Sequence, residues 1–218
     1  MTSRTSIFDR RRRIIAAAVA LSLLPVTACT GGGATPGATA APESSSPAAS
    51  PAQTATPTPT ASYKPADASG RAQNVPVPVL PEAAKAETKE GLEAFARYWY
   101  ALLNYGYETG DLSLVKDISS QTCALCVKVF PGIEKWNAEG RWIVGSTITV
   151  HAVQSTFVRT GAGDFQVAIQ SQQASGSLKN SDGTEAQTVK ESGMLGDILV
   201  ARHDNGSWTV KNVDRLGG

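Results

Sequence analysis

Cys123 and Cys126 are the residues whose type and spacing most suggest chemistry. Positions three apart on a helix lie close enough for a disulfide bond, and such a pair closes wherever the environment is oxidising. The alternative is thiol–disulfide exchange, for which this motif normally begins a helix directly after a strand. Because helical patterns precede it here, we expect a structural disulfide and keep redox activity as an alternative.

Acid–base chemistry would have to use one of a few titratable residues. His151 and His203 are the two histidines, and both lie in strand-like stretches, where a lone histidine is usually solvated or hydrogen-bonded. The acidic candidates Glu134, Asp164 and Asp197 have no spacing that selects one of them, and Asp197, which follows a glycine, is interpreted as a bulge position. With no nucleophile elbow and no nucleotide-binding loop in the sequence, we expect no catalytic constellation.

Four aromatic residues are candidates for lining a pocket: Tyr98, Trp99, Trp136 and Trp142. Aromatic side chains supply contact area for an apolar or sugar-like ligand. The alternative is ordinary core packing, which the position of Trp99 on an apolar stripe favours. The three cysteines and two histidines form no four-ligand zinc site with the usual spacing, so we expect no metal and no cofactor.

Three helices are predicted to position these residues. Apolar residues recur at steps of three and four between Glu82 and Tyr105, which indicates an amphipathic helix. A short helix is predicted from Leu112 to Ile118, with Asp111 as its N-cap. A third is predicted from Gln121 to Asn137, interrupted at Pro131 and Gly132.

The pattern then changes to an alternation of apolar and polar residues, which indicates strands. Residues 144–152, 165–170, 189–203 and a last stretch around 208–210 are predicted to form an antiparallel meander, with a polar loop at 175–187. Asn205 and Gly206 carry the hairpin signal between the last two strands. Helices followed by an antiparallel meander predict an α+β domain.

The N-terminus has the pattern of an export signal. Four consecutive arginines, Arg10 to Arg13, precede an apolar stretch that is too short for a stable membrane span. Val26-Thr27-Ala28-Cys29 resembles the bacterial lipobox. That resemblance implies that residues 1–28 are removed and that Cys29 receives a lipid and becomes the first residue of the mature chain.

The stretch after Cys29 is rich in proline, alanine and threonine and poor in charge. Such a composition buries too little apolar surface to offset chain entropy, and residues 29–81 are therefore predicted to be a disordered tether. Five of the 20 basic residues and one of the 19 acidic residues precede Cys29, so the mature chain is mildly acidic. An acidic balance argues against a nucleic-acid partner.

Two resemblances extend this interpretation. The order of helices and strands, ending in Gly-Ser-Trp-Thr-Val at 206–210, is similar to the nuclear-transport-factor-2-like cone fold. The sequence also resembles a family of actinobacterial lipoproteins known as domain of unknown function 6318, in the stretches 81–85 (PEAAK), 94–99 (AFARYW), 103–111 (LNYGYETGD) and 123–126 (CALC). The resemblance implies a location and a fold, and no activity.

Together these patterns predict a signal peptide at 1–28, a lipidated Cys29 with its tether to 81, and a cone-like domain at 82–218. The domain is expected to pack three N-terminal helices on a curved four-stranded antiparallel sheet. The predicted function is a lipoprotein on the outer face of the bacterial cytoplasmic membrane that binds an envelope protein or a small apolar or sugar-like ligand. The alternatives are a cone-fold isomerase or dehydratase and a redox lipoprotein.

Overall fold

A computed structural model describes residues 61–217. The signal peptide, Cys29 and the tether up to residue 60 lie outside the described residues. The α+β class is confirmed. A 3-10 turn at Glu82–Lys85 precedes three helices: α1 (Lys89–Thr109), α2 (Ser113–Asp117) and α3 (Ala124–Asn137).

The strands form two antiparallel sheets. Their bounds are β1 (Trp142–Gly145), β2 (Ile148–Gln154), β3 (Phe165–Gln173), β4 (Gly176–Lys179), β5 (Glu185–Val189), β6 (Leu195–Asp204) and β7 (Ser207–Arg215). One sheet has the order β2-β3-β6-β7, which is the predicted meander. The other has the order β1-β4-β5 and was not predicted.

The two sheets join at a bend that the alternation pattern did not reveal. The predicted strand 144–152 is divided into β1 and β2 at Gly145, whose φ is +70°. Opposite it, a Cβ on Gly176 would lie 2.4 Å from the carbonyl oxygen of Val144, so only glycine fits there. The predicted polar loop at 175–187 is wrong, because beyond this bend the same chain pairs as β4 and β5.

Helix α1 packs its apolar stripe against the four-stranded sheet and forms the main core. The helix begins later than predicted, because the side chain of Thr88 caps it by accepting a hydrogen bond from the Gly91 N–H at 3.0 Å. It ends at Gly110, which has the left-handed φ of +82°. The core residues on this helix are all buried: Leu92, Phe95, Ala96, Trp99, Tyr100, Leu102 and Leu103. Each large apolar side chain contributes roughly 1.5–3 kcal/mol by its burial.

Helices α2 and α3 flank the edge strand β7. The N–H of Ser120 donates to the carbonyl of Val210, and the N–H of Val210 donates to the carbonyl of Ile118, each at 2.8 Å. These bonds cover part of an edge that would otherwise be unpaired. Helix α3 continues through Pro131, so the predicted interruption is wrong. Burial of Phe130 and Ile133 on both sides of the proline offsets the hydrogen bond that proline cannot make.

Residues 61–81, called the arm below, pack on the domain and do not continue the tether as predicted. Lys64 and Gln73 exchange backbone hydrogen bonds of 3.0 and 2.9 Å. The Trp142 indole donates to the carbonyl of Asp67 at 2.9 Å, and the Tyr63 hydroxyl donates to the Glu108 carboxylate at 2.6 Å. These contacts are individual hydrogen bonds that bury little apolar surface, so they leave no mark on the composition of the arm. Composition alone therefore assigned the arm to the tether.

Candidate functional site

The predicted disulfide between Cys123 and Cys126 is present at the start of helix α3. Cys123 is the N-cap residue of α3, and its exposed fraction is 0%, whereas that of Cys126 is 3%. Two further hydrogen bonds hold this end of the helix, from the Cys123 N–H to the Ser120 carbonyl and from the Ala124 N–H to the Asn212 side chain. The helix start is therefore tied both to the preceding loop and to β7.

A groove of about 440 Å³ lies beside the disulfide, between α2 and α3. Its apolar wall consists of Cys126, Val127, Phe130 and Pro131. Val127 is exposed, whereas Phe130 is buried. An apolar wall with polar groups at its rim is typical of a ligand or peptide site.

The rim of this groove carries an ion pair between Lys116 of α2 and Glu134 of α3. Both side chains are nearly half exposed, so the pair contributes little to stability. Glu134 also lines a second, more open hollow. Glu134, considered above as a catalytic acid, therefore has a cation as its partner.

The second hollow lies where the arm meets the ends of α1 and α3. Arg71 of the arm donates to the carbonyls of Asn137 and Arg141, and so provides hydrogen bonds beyond the last turn of α3. A Cβ on Gly110 would lie 2.6 Å from the Cβ of Asn137, which explains the glycine at this position. The side-chain oxygen of Asn137 is buried without a hydrogen-bond partner among residues 61–217.

The four aromatic residues predicted to line one pocket do not lie together. Tyr98 and Trp99 belong to the main core, where the Trp99 indole donates to the Ser119 hydroxyl at 2.8 Å. Trp136 and Trp142 lie apart from that core, and the Trp136 indole donates to the carbonyl of Trp142 at 3.0 Å. The pocket prediction is wrong because Trp99 follows the apolar stripe of α1, whereas Trp142 packs under the arm.

A buried charged cluster at Asp197 was missed by the sequence interpretation. The Asp197 carboxylate is fully buried on β6. It accepts a hydrogen bond of 2.7 Å from the Tyr100 hydroxyl of α1 and one of 3.0 Å from Nε of Arg215 on β7. Burial, and then the hydrogen bond to this carboxylate, raises the pKa of Tyr100. A signal was present in the sequence, because Asp197 occupies an inward position of an alternating strand.

The other titratable candidates are scattered. His151 is exposed on β2. His203 lies with one ring nitrogen 3.0 Å from the carbonyl oxygen of Lys85 and the other 3.6 Å from the Glu87 carboxylate. Asp164 accepts a hydrogen bond of 2.7 Å from Nε of Arg202. None of these contacts joins a histidine to Asp164, Asp197 or Glu134 in the described part of the chain.

Two further features are absent from the described residues. No helix between residues 61 and 217 is long and apolar enough to cross a membrane. In the same range, no group of three or more histidine, cysteine, aspartate or glutamate residues is placed to hold a metal ion.

Comparisons with known proteins give one family and several distant structures, of which two are named below. The model of the family of unknown function DUF6318 matches residues 61–214. The intermembrane space region of the chloroplast protein ARC6 is 9% identical with a TM-score of 0.43, covering 60% of this chain and 98% of that one. Aln2 from a Streptomyces species is 7% identical with a TM-score of 0.37, and the match covers 57% of this chain and 89% of Aln2. No curated protein matches the chain.

Proposed function

The chain belongs to the family of unknown function DUF6318, and from that premise we propose that it is an exported, lipid-anchored envelope protein whose domain binds a partner or small ligand. The observation that carries the proposal is the buried Cys123–Cys126 disulfide beside the groove. A disulfide persists in an oxidising compartment, which is where an export signal sends a protein. The lipobox-like Cys29 supplies the anchor, and two acyl chains hold a protein stably on a membrane.

The α2–α3 groove is the proposed binding site for a partner or ligand with an apolar surface. Val127 and Pro131 form its accessible apolar wall, and Lys116 and Glu134 at the rim offer one charge of each sign. The disulfide fixes the start of α3, so the wall is preorganised before binding. The same proposal describes the domain as a cone-like arrangement of helices on a curved sheet. In this proposal the domain binds a partner or ligand and does not catalyse a reaction.

The redox alternative is favoured by one observation, the location of Cys123 at the N-terminus of a helix. A helix N-terminus lowers a thiol pKa and activates the thiolate. Attack on a substrate disulfide also requires an accessible sulfur, and Cys123 is completely buried. Burial therefore supports a structural role for this pair.

Intact mass of the protein extracted from membranes tests the anchor and the disulfide together. We expect the mass of the chain from Cys29 plus lipid, and two hydrogens fewer than the reduced form. Replacing Cys29→Ala should release the protein from the membrane, whereas Cys123→Ala should leave it there. Retention of residues 1–28, or two thiols that react without reduction, would contradict the proposal.

The groove is tested with the fluorescent apolar probe 8-anilinonaphthalene-1-sulfonate, which binds accessible apolar surface. Val127→Glu should weaken binding of the probe to the folded protein. Val158→Glu is the matched control, because Val158 is an exposed valine outside the groove. Equal binding by both variants would show that the groove is not the apolar site.

A further inference from the structure

Residues 75–79 of the arm, Val-Pro-Val-Pro-Val, form an extended segment that we call the valine–proline strip. Each proline fixes its own φ near −65° and restricts the residue before it to extended conformations. Both ends of the strip are held. Asn74, with a φ of +53°, donates its side-chain N–H to the carbonyl of Ser62 at 3.0 Å, and Leu80 packs against the main core.

The strip combines exposed apolar side chains with backbone groups that have no hydrogen-bond partner among residues 61–217. Val77 is 54% exposed and Val79 is 85% exposed. Within residues 61–217 no hydrogen bond reaches the backbone of residues 75–80. In an extended chain, the N–H and C=O groups of alternate residues point to the same edge. All three valines therefore present a donor and an acceptor at one edge, while the prolines present only carbonyls at the other.

We propose that the strip pairs with the same strip of a second copy of this chain, antiparallel about a two-fold axis at Val77. The segment has the same sequence in both directions. Val77 then faces Val77 of the partner subunit, and Val75 faces Val79 of the partner subunit, as hydrogen-bonded pairs. Pro76 faces Pro78 of the partner subunit at a non-hydrogen-bonded position, where no N–H is needed.

Two other strand edges of the domain, those of β5 and β2, fit the strip less well. β5 exposes nearly all of its residues and is polar, so it offers no apolar surface for the valines. β2 has an irregular register between Val150 and Ala152, which interrupts a regular ladder. Pairing of the strip with itself needs neither of these edges, and it forms a closed dimer.

The dimer is weak in solution and depends on confinement to a membrane. Two five-residue strands bury much less than the ~1,200–2,000 Å² of a stable interface. A lipid anchor, as in the proposed function on which this inference partly rests, raises the effective concentration of one copy around another. Pairing is then favoured on the membrane without a larger contact area.

Cysteine cross-linking of the full chain in its own membranes tests the register. Opposing Cα atoms of a hydrogen-bonded pair lie ~5.5 Å apart, within the range for a disulfide. The Val79 positions of the two copies are offset by four residues, or ~13 Å along the strand. After mild oxidation, Val77→Cys should give roughly tenfold more disulfide-linked dimer than Val79→Cys, although Val79 is more exposed. Copies carrying Val75→Cys should cross-link to copies carrying Val79→Cys.

Val158→Cys is the matched control for random collision, because Val158 is 68% exposed and lies outside the strip. Equal cross-linking at positions 77, 79 and 158, or none at position 77 in a protein that fractionates with membranes, would overturn the dimer and leave the proposed anchor intact. If the protein is found without a lipid, the anchor fails. In that case the dimer is tested with the purified chain at about 1 mM. The yield of disulfide-linked dimer should again be higher for Val77→Cys than for Val79→Cys and Val158→Cys.

Discussion

The main core and the smaller sheet with its arm are held together by different forces. In the main core, the apolar stripe of α1 buries large side chains against the sheet, with Phe165 and Trp208 in edge-to-face contact at 5.6 Å. In the smaller sheet, β4 is only half-buried and β5 is largely exposed. The arm is held there by a hydrogen bond from the Trp142 indole and by two hydrogen bonds that Arg71 donates to backbone carbonyls. Stability should therefore be concentrated in the main core, and the arm should open locally.

The largest expected effect comes from removing a core indole. Trp99→Ala should lower the free energy of unfolding by about 3–5 kcal/mol, because it leaves a cavity in the main core and removes the indole that donates to the Ser119 hydroxyl. Trp136→Ala, at a half-buried position outside the main core, should cost about 1 kcal/mol. Urea unfolding followed by circular dichroism measures both variants. Equal decreases in the free energy of unfolding for the two variants would contradict the expected difference in stability between the main core and the region outside it.

The second-largest loss of stability is expected at the buried charged cluster of Asp197, Tyr100 and Arg215. Asp197→Ala leaves the Tyr100 hydroxyl and the Arg215 guanidinium without their acceptor, which should cost about 3 kcal/mol. Breaking a buried ion pair typically costs ~3–5 kcal/mol. Because Arg215 is one-third exposed, water can solvate its guanidinium in the variant, and the loss should lie at the low end of this range. Asp164→Ala, which breaks the more exposed pair with Arg202, should cost at most about 1 kcal/mol in the same assay. A smaller loss at Asp197 than at Asp164 would contradict this ranking.

A local effect is expected at the arm. Trp142→Phe removes the donor to the Asp67 carbonyl and should weaken the arm by about 1 kcal/mol. Hydrogen–deuterium exchange should become faster in residues 64–73 while exchange in α1 stays unchanged. Faster exchange throughout α1 would show that the arm and the main core unfold together.

The smallest effect depends on pH. The hydrogen bond to Glu108, then burial and the charge of Glu108, raise the pKa of Tyr63 from 10.0 to about 12. The contact therefore stabilises the folded arm below pH 10 and is lost as the pH rises toward 12. Because the residue is exposed, the gain is small. Ultraviolet titration of the phenolate should show one tyrosine whose pKa shifts back toward 10 in Glu108→Ala, which removes the acceptor, and an unchanged titration would exclude the bond.

Periodic patterns predicted the elements whose stability comes from burial. The stripe of α1 and the strands β2, β3, β6 and β7 repeat an apolar residue at a fixed interval, so a short window of sequence identifies them. The hairpin of β4 and β5 has no buried face and therefore no such repeat. The arm was assigned to the tether for the same reason, since its contacts are made by Tyr63, Asp67 and Arg71 with residues far along the chain.

The candidate site was predicted only in part. Cys123 and Cys126 were identifiable because their spacing alone brings two sulfurs together on a helix. The groove beside them was not, since its walls come from α2 and α3 and its shape depends on the angle between the two helices. For the four aromatic residues, a pocket was predicted that the structure does not form. They were grouped because of their residue type, although they belong to separate clusters.

The sequence by itself determined the local properties of this protein: the α+β class, the short-range disulfide and the extended shape of the valine–proline strip. Covalent geometry and short-range periodicity are sufficient for each of these. The tertiary structure alone decided the bend between the sheets, the burial of Asp197 with Tyr100 and Arg215, and the packing of the arm. Those features join residues up to 97 positions apart, and their free energy depends on a surface that does not exist until the chain has folded.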